Sequence, residues 1–231
     1  MFEISPTEWT AILLSLRVAV IATLVATPFG IGLAWLLARR DFWGKSILDA
    51  AVHLPLVLPP VVTGYLLLLT FGKRGVVGAW LAEHLGIVFA FRWTGAALAC
   101  GVMSFPLLVR PIRLSIEAVD RRLEQAAETL GAAPWRVFAT VTLPLALPGV
   151  LAGMVLGFAK AIGEFGATIT FVSNIPGETQ TISSAIYSLI QTPDGDAAAG
   201  RLVIISVAIA MGALIAAEWF ARRATARLHG Q

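Results

Sequence analysis

An all-α membrane protein with about five transmembrane helices is expected for this 231-residue chain, on three grounds. Hydrophobic residues make up 58% of it and charged residues only 13%, where a soluble domain carries about 25% charged residues. Mean hydropathy is +0.82. The apolar residues are also gathered into runs such as Val18–Ala38, which holds no charge and suffices for the ~20 residues that cross a ~30 Å hydrocarbon layer. These features exclude an ordinary cytosolic enzyme, a disordered chain and a disulfide-stapled secreted module. Cys100 is the single cysteine, so neither an intrachain bridge nor a multi-cysteine metal site is available.

The whole chain, 1–231, reads as one transmembrane domain. The first span, about 12–38, surrounds Val18–Ala38. Its leader, Met1–Thr10, lacks a basic n-region and carries Glu3 and Glu8, so this span is not expected to be a cleaved signal peptide. The second, about 50–71, rests on uncharged Leu54–Phe71, with Pro55, Pro59 and Pro60 at its start. The third, about 93–112, rests on Trp93–Val109, with Pro106 near its end. The fourth, about 148–172, begins near Pro148 and is interrupted by Lys160 and Glu164. The fifth, about 201–221, rests on Leu202–Ala217 and is extended by Trp219 and Phe220, which suit a membrane interface.

The net charge of +3 is a weak hint of nucleic-acid binding, and the placement of the cations argues against it. Arg39, Arg40, Lys45, Arg110, Arg113, Arg121, Arg122, Arg136, Arg222, Arg223 and Arg227 fall on one side of the spans; Lys73, Arg74, Arg92 and Arg201 fall on the other. Basic residues concentrate on the cytoplasmic side, which puts the N-terminus outside and the C-terminus inside. The lipid bilayer, not nucleic acid, is the expected surrounding.

Two connections are too long to be plain linkers. The inner one, 113–143, is expected to be a helix-turn-helix. Ile112, Ile116, Val119, Leu123, Ala126 or Ala127, and Leu130 recur at helical spacing as one apolar stripe. Gly131 suits a C-cap, and Pro134 suits the first turn of a second short helix, Pro134–Val141, which Leu143-Pro144 is expected to end. Periodicity alone also describes a helix lying on the membrane surface. The outer connection, 173–201, holds a Pro-Gly turn and a short amphipathic stretch, Thr181–Gln191, too short to span. It is expected either on the surface or tucked back as an outer gate.

The run from Glu124 to Gly149, EQAAETLGAAPWRVFATVTLPLALPG, resembles the EAA loop of binding-protein-dependent ABC importer permeases. Counting back from Gly131 sets Gln125, Ala126 and Ala127 on the Glu-Ala-Ala positions, and Leu143 and Pro144 match the ending. Gln125 departs from the family's Glu, with Glu124 one place earlier. A hydrogen bond from Gln125 or a contact from Glu124 then replaces the ion pair. The resemblance implies that this loop docks on an ATPase subunit and transmits its closure. Gly44-Lys45-Ser46 imitates the end of a phosphate-binding loop, but the required first glycine falls at Arg39. No cofactor is therefore expected in this chain, with ATP and magnesium on a separate ATPase.

Charge inside a span is costly and marks a candidate functional site. Lys160 and Glu164 stand four residues apart on one helical face and can neutralise each other. They are either a packing pair or the border of a wet path. Gly163, Gly166, Thr168 and Thr170 near them, with Thr63 beside Gly64 in the second span and Ser104 in the third, are further candidates for a translocation path or gate. Pro59-Pro60 frees carbonyls that only a buried or wet setting tolerates. An intramembrane enzyme combining Glu164 with His53 or His84, or a passive channel, is the alternative of another class.

GEFGATITFVSNIPGETQTI (Gly163–Ile182), HLPLVLPPVVTGYLLLL (His53–Leu69) and FPLLVRPIRL (Phe105–Leu114) resemble the molybdate ABC transporter permease family over nearly the whole chain. Sulfate, thiosulfate and tungstate permeases are the near alternatives, since GEFGA is shared; the run through PGETQTI favours molybdate. The resemblance implies a type I importer permease fold in the bacterial inner membrane, a permease homodimer, two ATPase subunits and an external molybdate-binding protein, working by alternating access.

Overall fold

The computed structural model describes residues 4–228, without the side chains of 217, 218 and 220–228. Glu3 and the side chains of Phe220, Arg222, Arg223 and Arg227 thus lie outside the described residues. Those residues form α-helices and one π turn, with no strand among them. Helix α1 (Pro6–Arg39) starts at a capping box: the Ser5 hydroxyl accepts from Glu8 N–H at 3.2 Å, and the Glu8 carboxylate accepts from Ser5 N–H at 2.6 Å. At 34 residues it is about 50 Å long, more than a bilayer core requires.

Next come α2 (Lys45–Val57), α3 (Pro60–Phe71), α4 (Val76–Leu85) and α5 (Trp93–Ala118). Where one uncharged second span was expected, α2 and α3 meet at 114°. Leu58 and Pro59 each precede a proline and are both extended, at φ −71°, ψ 143° and φ −53°, ψ 134°, as a following proline demands. Among the described residues four helices are long and apolar enough to cross a membrane, or five spans if this bent pair counts as one.

The apolar stripe of the inner connection is not one helix. Helix α5 stops at Ala118, and Asp120 caps α6 (Arg121–Thr129) by accepting from Arg122 N–H at 2.9 Å. Ile112, Ile116 and Val119 are buried in the bundle, whereas Leu123 is 50% and Leu130 88% exposed. Leu143-Pro144 does not end the second loop helix either. Helix α7 (Pro134–Val137) passes through a π turn (Phe138–Thr142) into α8 (Leu143–Ile162) without a break. The wider turn displaces the ladder just where Pro144 brings no N–H, so the proline sits without a lost bond. Helices α9 (Gly166–Val172), α10 (Ile182–Leu189) and α11 (Asp196–Leu228) complete the chain.

The core lies where α1, α5 and α8 pack along their lengths. Val18, Ala19, Ala22, Ala96, Ala99 and Ala161 fill it at one level, and Ala34, Leu108, Ile112, Ala146 and Val150 at another. Small side chains let helices approach closely, the usual source of cohesion when lipid is as apolar as leucine. Ion pairs close both ends: Glu8 with Arg201 at 2.9 Å at one, Asp49 with Arg113 at 3.0 Å and Arg39 with Glu124 at 3.1 Å at the other. Arg201, from the smaller of the two groups of cations above, is thus paired at one end, and Arg39 and Arg113, from the larger, at the other.

Candidate functional site

At the end bearing Arg39, the loop α6–Gly131–α7 projects from the bundle. Gly131 has φ +86°, a left-handed conformation that glycine adopts at no steric cost. Its N–H donates to Glu128 O at 2.9 Å, and Ala132 N–H donates to Ala127 O at 3.1 Å, so the turn satisfies carbonyls that the end of α6 leaves open. Gln125, Ala126 and Gly131 are exposed and Ala127 is half-buried. Beside them Leu123, Leu130 and Trp135 present apolar surface to the outside.

Glu124 points the other way. One carboxylate oxygen accepts from Arg39 Nε at 3.2 Å and from the Thr142 hydroxyl at 2.6 Å, and Arg39 Nη2 donates to Val119 O at 2.9 Å. Glu124 therefore ties α6 to α1 and to the π turn that leads into α8. Its side chain is 16% exposed, so of the two neighbours Gln125 is the one turned outward, with Arg121, Arg122 and Glu128 also exposed on α6. Sequence reasoning missed Arg39, read only as a topology determinant, and Thr142; neither stands at a helical spacing from Glu124 that a pattern could reveal. A cleft of about 270 Å3 beside this tie is lined by Trp35, Arg40, Arg121, Gln125, Glu128 and Phe138 among others. Leu143 is half-buried and Pro144 exposed, at the very start of α8. Nearby, the Lys45 ammonium hydrogen-bonds Asp41 at 2.8 Å and holds its carboxyl below the usual range.

The second group of candidates surrounds two broken helices. Helix α8 ends at Gly163, and α9 restarts three residues on. Glu164, 1% exposed, fills the gap: its carboxylate accepts from Lys160 Nζ at 2.5 Å and from Ala167 N–H at 3.0 Å. One side chain thus neutralises the span's cation and caps the new helix. Thr168 and Thr170 return their hydroxyls to carbonyls of Phe165 and Gly166, at 2.9 and 2.8 Å.

Helix α3 lies directly on α9. A Cβ on Gly64 would fall 2.5 Å from Ala167 O and 2.9 Å from Ala167 Cα, and one on Gly166 would fall 2.7 Å from Pro60 Cβ. Thr63, in the same turn as Gly64, is buried and its hydroxyl has no hydrogen-bond partner among the described residues. Ser104 is fully enclosed on α5, and its hydroxyl bond, to Gly101 O at 3.2 Å, stays within that helix. Gly64→Ala is expected to destabilise the protein by about 1–3 kcal/mol, since backbone rather than a flexible side chain blocks the new methyl. Thermal unfolding of the detergent-purified variant checks this, and an unchanged midpoint would show that α3 is free to move off α9.

The amphipathic outer stretch is tucked in. Ile182 and Ala185 of α10 are buried with Ala11, Ile12 and Leu202, and Ile182 N–H donates to the Ser15 hydroxyl at 2.7 Å. Ser183 donates to Ile162 O at 3.3 Å, and the Tyr187 ring lies 4.9 Å from that of Phe165. Helix α10 therefore braces the α8–α9 break. His53 and His84 each bond a carbonyl of their own helix, those of Asp49 and Trp80, and neither is among the partners described for Glu164.

A family model described as "Binding-protein-dependent transport system inner membrane component" matches residues 26–226. The chain is 63% identical over 215 residues to the "Molybdenum transport system permease protein ModB" of Escherichia coli strain K12, covering 93% of this chain and 94% of that protein. It is 56% identical over 221 residues to the protein of the same description from Haemophilus influenzae, covering 96% of each. Among solved structures, a bacterial ABC transporter involved in import of the acidic polysaccharide alginate aligns with TM-score 0.74 at 21% identity, over 95% of this chain and 80% of that one. That last likeness is one of fold.

Proposed function

We propose, for a chain that belongs to the family of binding-protein-dependent transport system inner membrane components, that the substance it carries is molybdate. The chain is a permease subunit of an ABC importer, a multi-pass inner-membrane protein with the type I importer permease fold. The observation that supports molybdate is the 63% identity, spread over 93% of the chain, to a molybdenum transport permease.

The engine is a separate ATPase, which holds ATP and magnesium, and two such subunits serve a permease homodimer. A binding protein outside the membrane delivers the anion. The end bearing Arg39 faces the cytoplasm, so the N-terminus is outside and the C-terminus inside, as the excess of cations at that end supports. There the exposed turn of Gln125, Ala126, Ala127 and Gly131, flanked by Leu123, Leu130 and Trp135, seats on the ATPase. Glu124 passes the loop's displacement to α1 through Arg39 and towards α8 through Thr142, while Leu143 and Pro144 carry it into the span. Nucleotide drives alternating access because it favours one arrangement of the ATPase pair; a ligand with equal affinity for both would shift nothing. The two broken helices, with Thr63, Ser104, Lys160, Gly163, Glu164, Gly166, Thr168 and Thr170, border the path or its gate. The tucked outer helix α10 and the α8–α9 break that it braces then move together.

Uptake of labelled molybdate by proteoliposomes holding permease, ATPase and binding protein tests this reading. Uptake is expected to require ATP and to persist in a large excess of sulfate. Equal inhibition by sulfate and by unlabelled molybdate would assign the chain to sulfate instead.

A further inference from the structure

A cavity of about 710 Å3 forms an open trough between α1, α2 and α5, separate from both groups of residues above. Its wall is almost wholly apolar and includes Ile21, Phe29, Val52, Trp93, Leu98 and Phe105. Along α5 it runs from Trp93 to Phe105, a rise of about 18 Å. That is close to one leaflet of a ~30 Å hydrocarbon core.

The Trp93 end carries charge. Arg17, the residue just before the uncharged Val18–Ala38 run, places its guanidinium 3.8 Å from the centre of the Trp93 ring. Arg92 directly precedes Trp93. Both arginines are exposed, and neither has a carboxylate partner among the described residues. By contrast, Arg39, Arg113 and Arg201 all have one. An arginine near the end of a span carries its guanidinium to the interface, where a counter-charge can hold it. The protein supplies none here, whereas a lipid phosphate lies at that depth, and tryptophan favours the same level.

We propose that this trough binds one anionic phospholipid, an acyl chain lying along α5 from Trp93 towards Phe105 and the headgroup phosphate held by Arg17 and Arg92. A second copy of this chain fits less well: packed through the same patch, it brings its own Arg17 and Arg92 and no carboxylate to meet them. The far wall is α2, through Ala51, Val52 and Pro55, so a bound acyl chain also fills the space between α1, α5 and the helix that leads into the 114° bend.

The test is native mass spectrometry of the full importer complex, extracted from vesicles of defined phosphatidylglycerol and phosphatidylcholine content. The unaltered complex is expected to retain phosphatidylglycerol in preference to phosphatidylcholine. Arg17→Gln is expected to lower retained phosphatidylglycerol roughly fivefold, the worth of one basic residue at an anionic surface, and Arg17→Lys to restore most of it. Leu98→Trp, which fills the trough and leaves both arginines, is expected to lower retention of either lipid. Equal retention of the two lipids by the unaltered complex, or no change in Arg17→Gln, overturns the proposal. Loss of subunit pairing in Leu98→Trp with lipid retention unchanged also overturns it, and gives the trough to a second copy.

Discussion

Gly131→Pro is expected to abolish ATP-driven uptake while the permease still inserts and its ATPase partners still hydrolyse ATP. Proline holds φ near −65°, and this position sits at +86°. The substitution also removes the N–H that donates to Glu128 O at 2.9 Å. An incompatible proline costs about 3 kcal/mol or more, and the turn is the only place to absorb it, because α6 is fastened to α1 by Glu124 and Arg39. The bundle core lies away from this exposed loop, so insertion should survive. Helix α7, however, would leave the turn in a different direction, and the surface formed by Gln125, Ala126 and Leu130 would no longer match its seat. Gly131→Asn is the control, since asparagine tolerates left-handed backbone, and it should keep most of the uptake. ATP hydrolysis and molybdate accumulation measured in the same proteoliposomes decide the matter. Uptake by the proline variant at the normal rate would remove this turn from the mechanism.

Glu164 is the other position where one atom group has two tasks, and its variants separate them. Glu164→Ala leaves the Lys160 ammonium unpaired and the Ala167 N–H without its acceptor. Removing one partner of a buried pair costs 3–5 kcal/mol, and the lower end, about 3 kcal/mol, applies because the Lys160 side chain is 29% exposed. The alanine variant should accumulate poorly and unfold at a lower temperature in detergent. Glu164→Gln keeps a carbonyl oxygen that can accept from Ala167 N–H and from the 29%-exposed Lys160 ammonium, so the hydrogen bonds survive and the negative charge is lost. It is expected to accumulate near the normal level yet transport poorly, which places the Lys160–Glu164 pair on the path. Normal uptake by the glutamine variant would reduce the pair to packing.

Features that depend on a few neighbouring residues were legible without coordinates. Gly131 before Pro134 reads as a sharp turn between helices because left-handed backbone and a fixed φ are properties of those residues themselves. The same holds for the four-residue spacing of Lys160 and Glu164. Patterns that had to be carried across a break were read less well. The stripe from Ile112 to Leu130 has a helical period throughout, yet Asp120 restarts the helix, and the residues after it face outward. Leu143-Pro144 looked like a stop because a proline forbids a regular ladder, and a π turn made the ladder irregular just before it. Thr181–Gln191 has a face that suits either the surface or a tucked position, and periodicity does not choose.

The order of the apolar runs and the glycine turn between α6 and α7 follow from hydropathy and backbone preference, which act over a few residues. Which groups meet across the bundle does not follow from them. Glu124 finds Arg39 85 positions away, Ile182 finds Ser15 167 positions away, and Gly64 lies on Ala167 because two helices break at the same level. Such meetings depend on how helices of nearly uniform apolarity settle against one another. Small side chains and a handful of polar contacts decide that, and no local pattern encodes it.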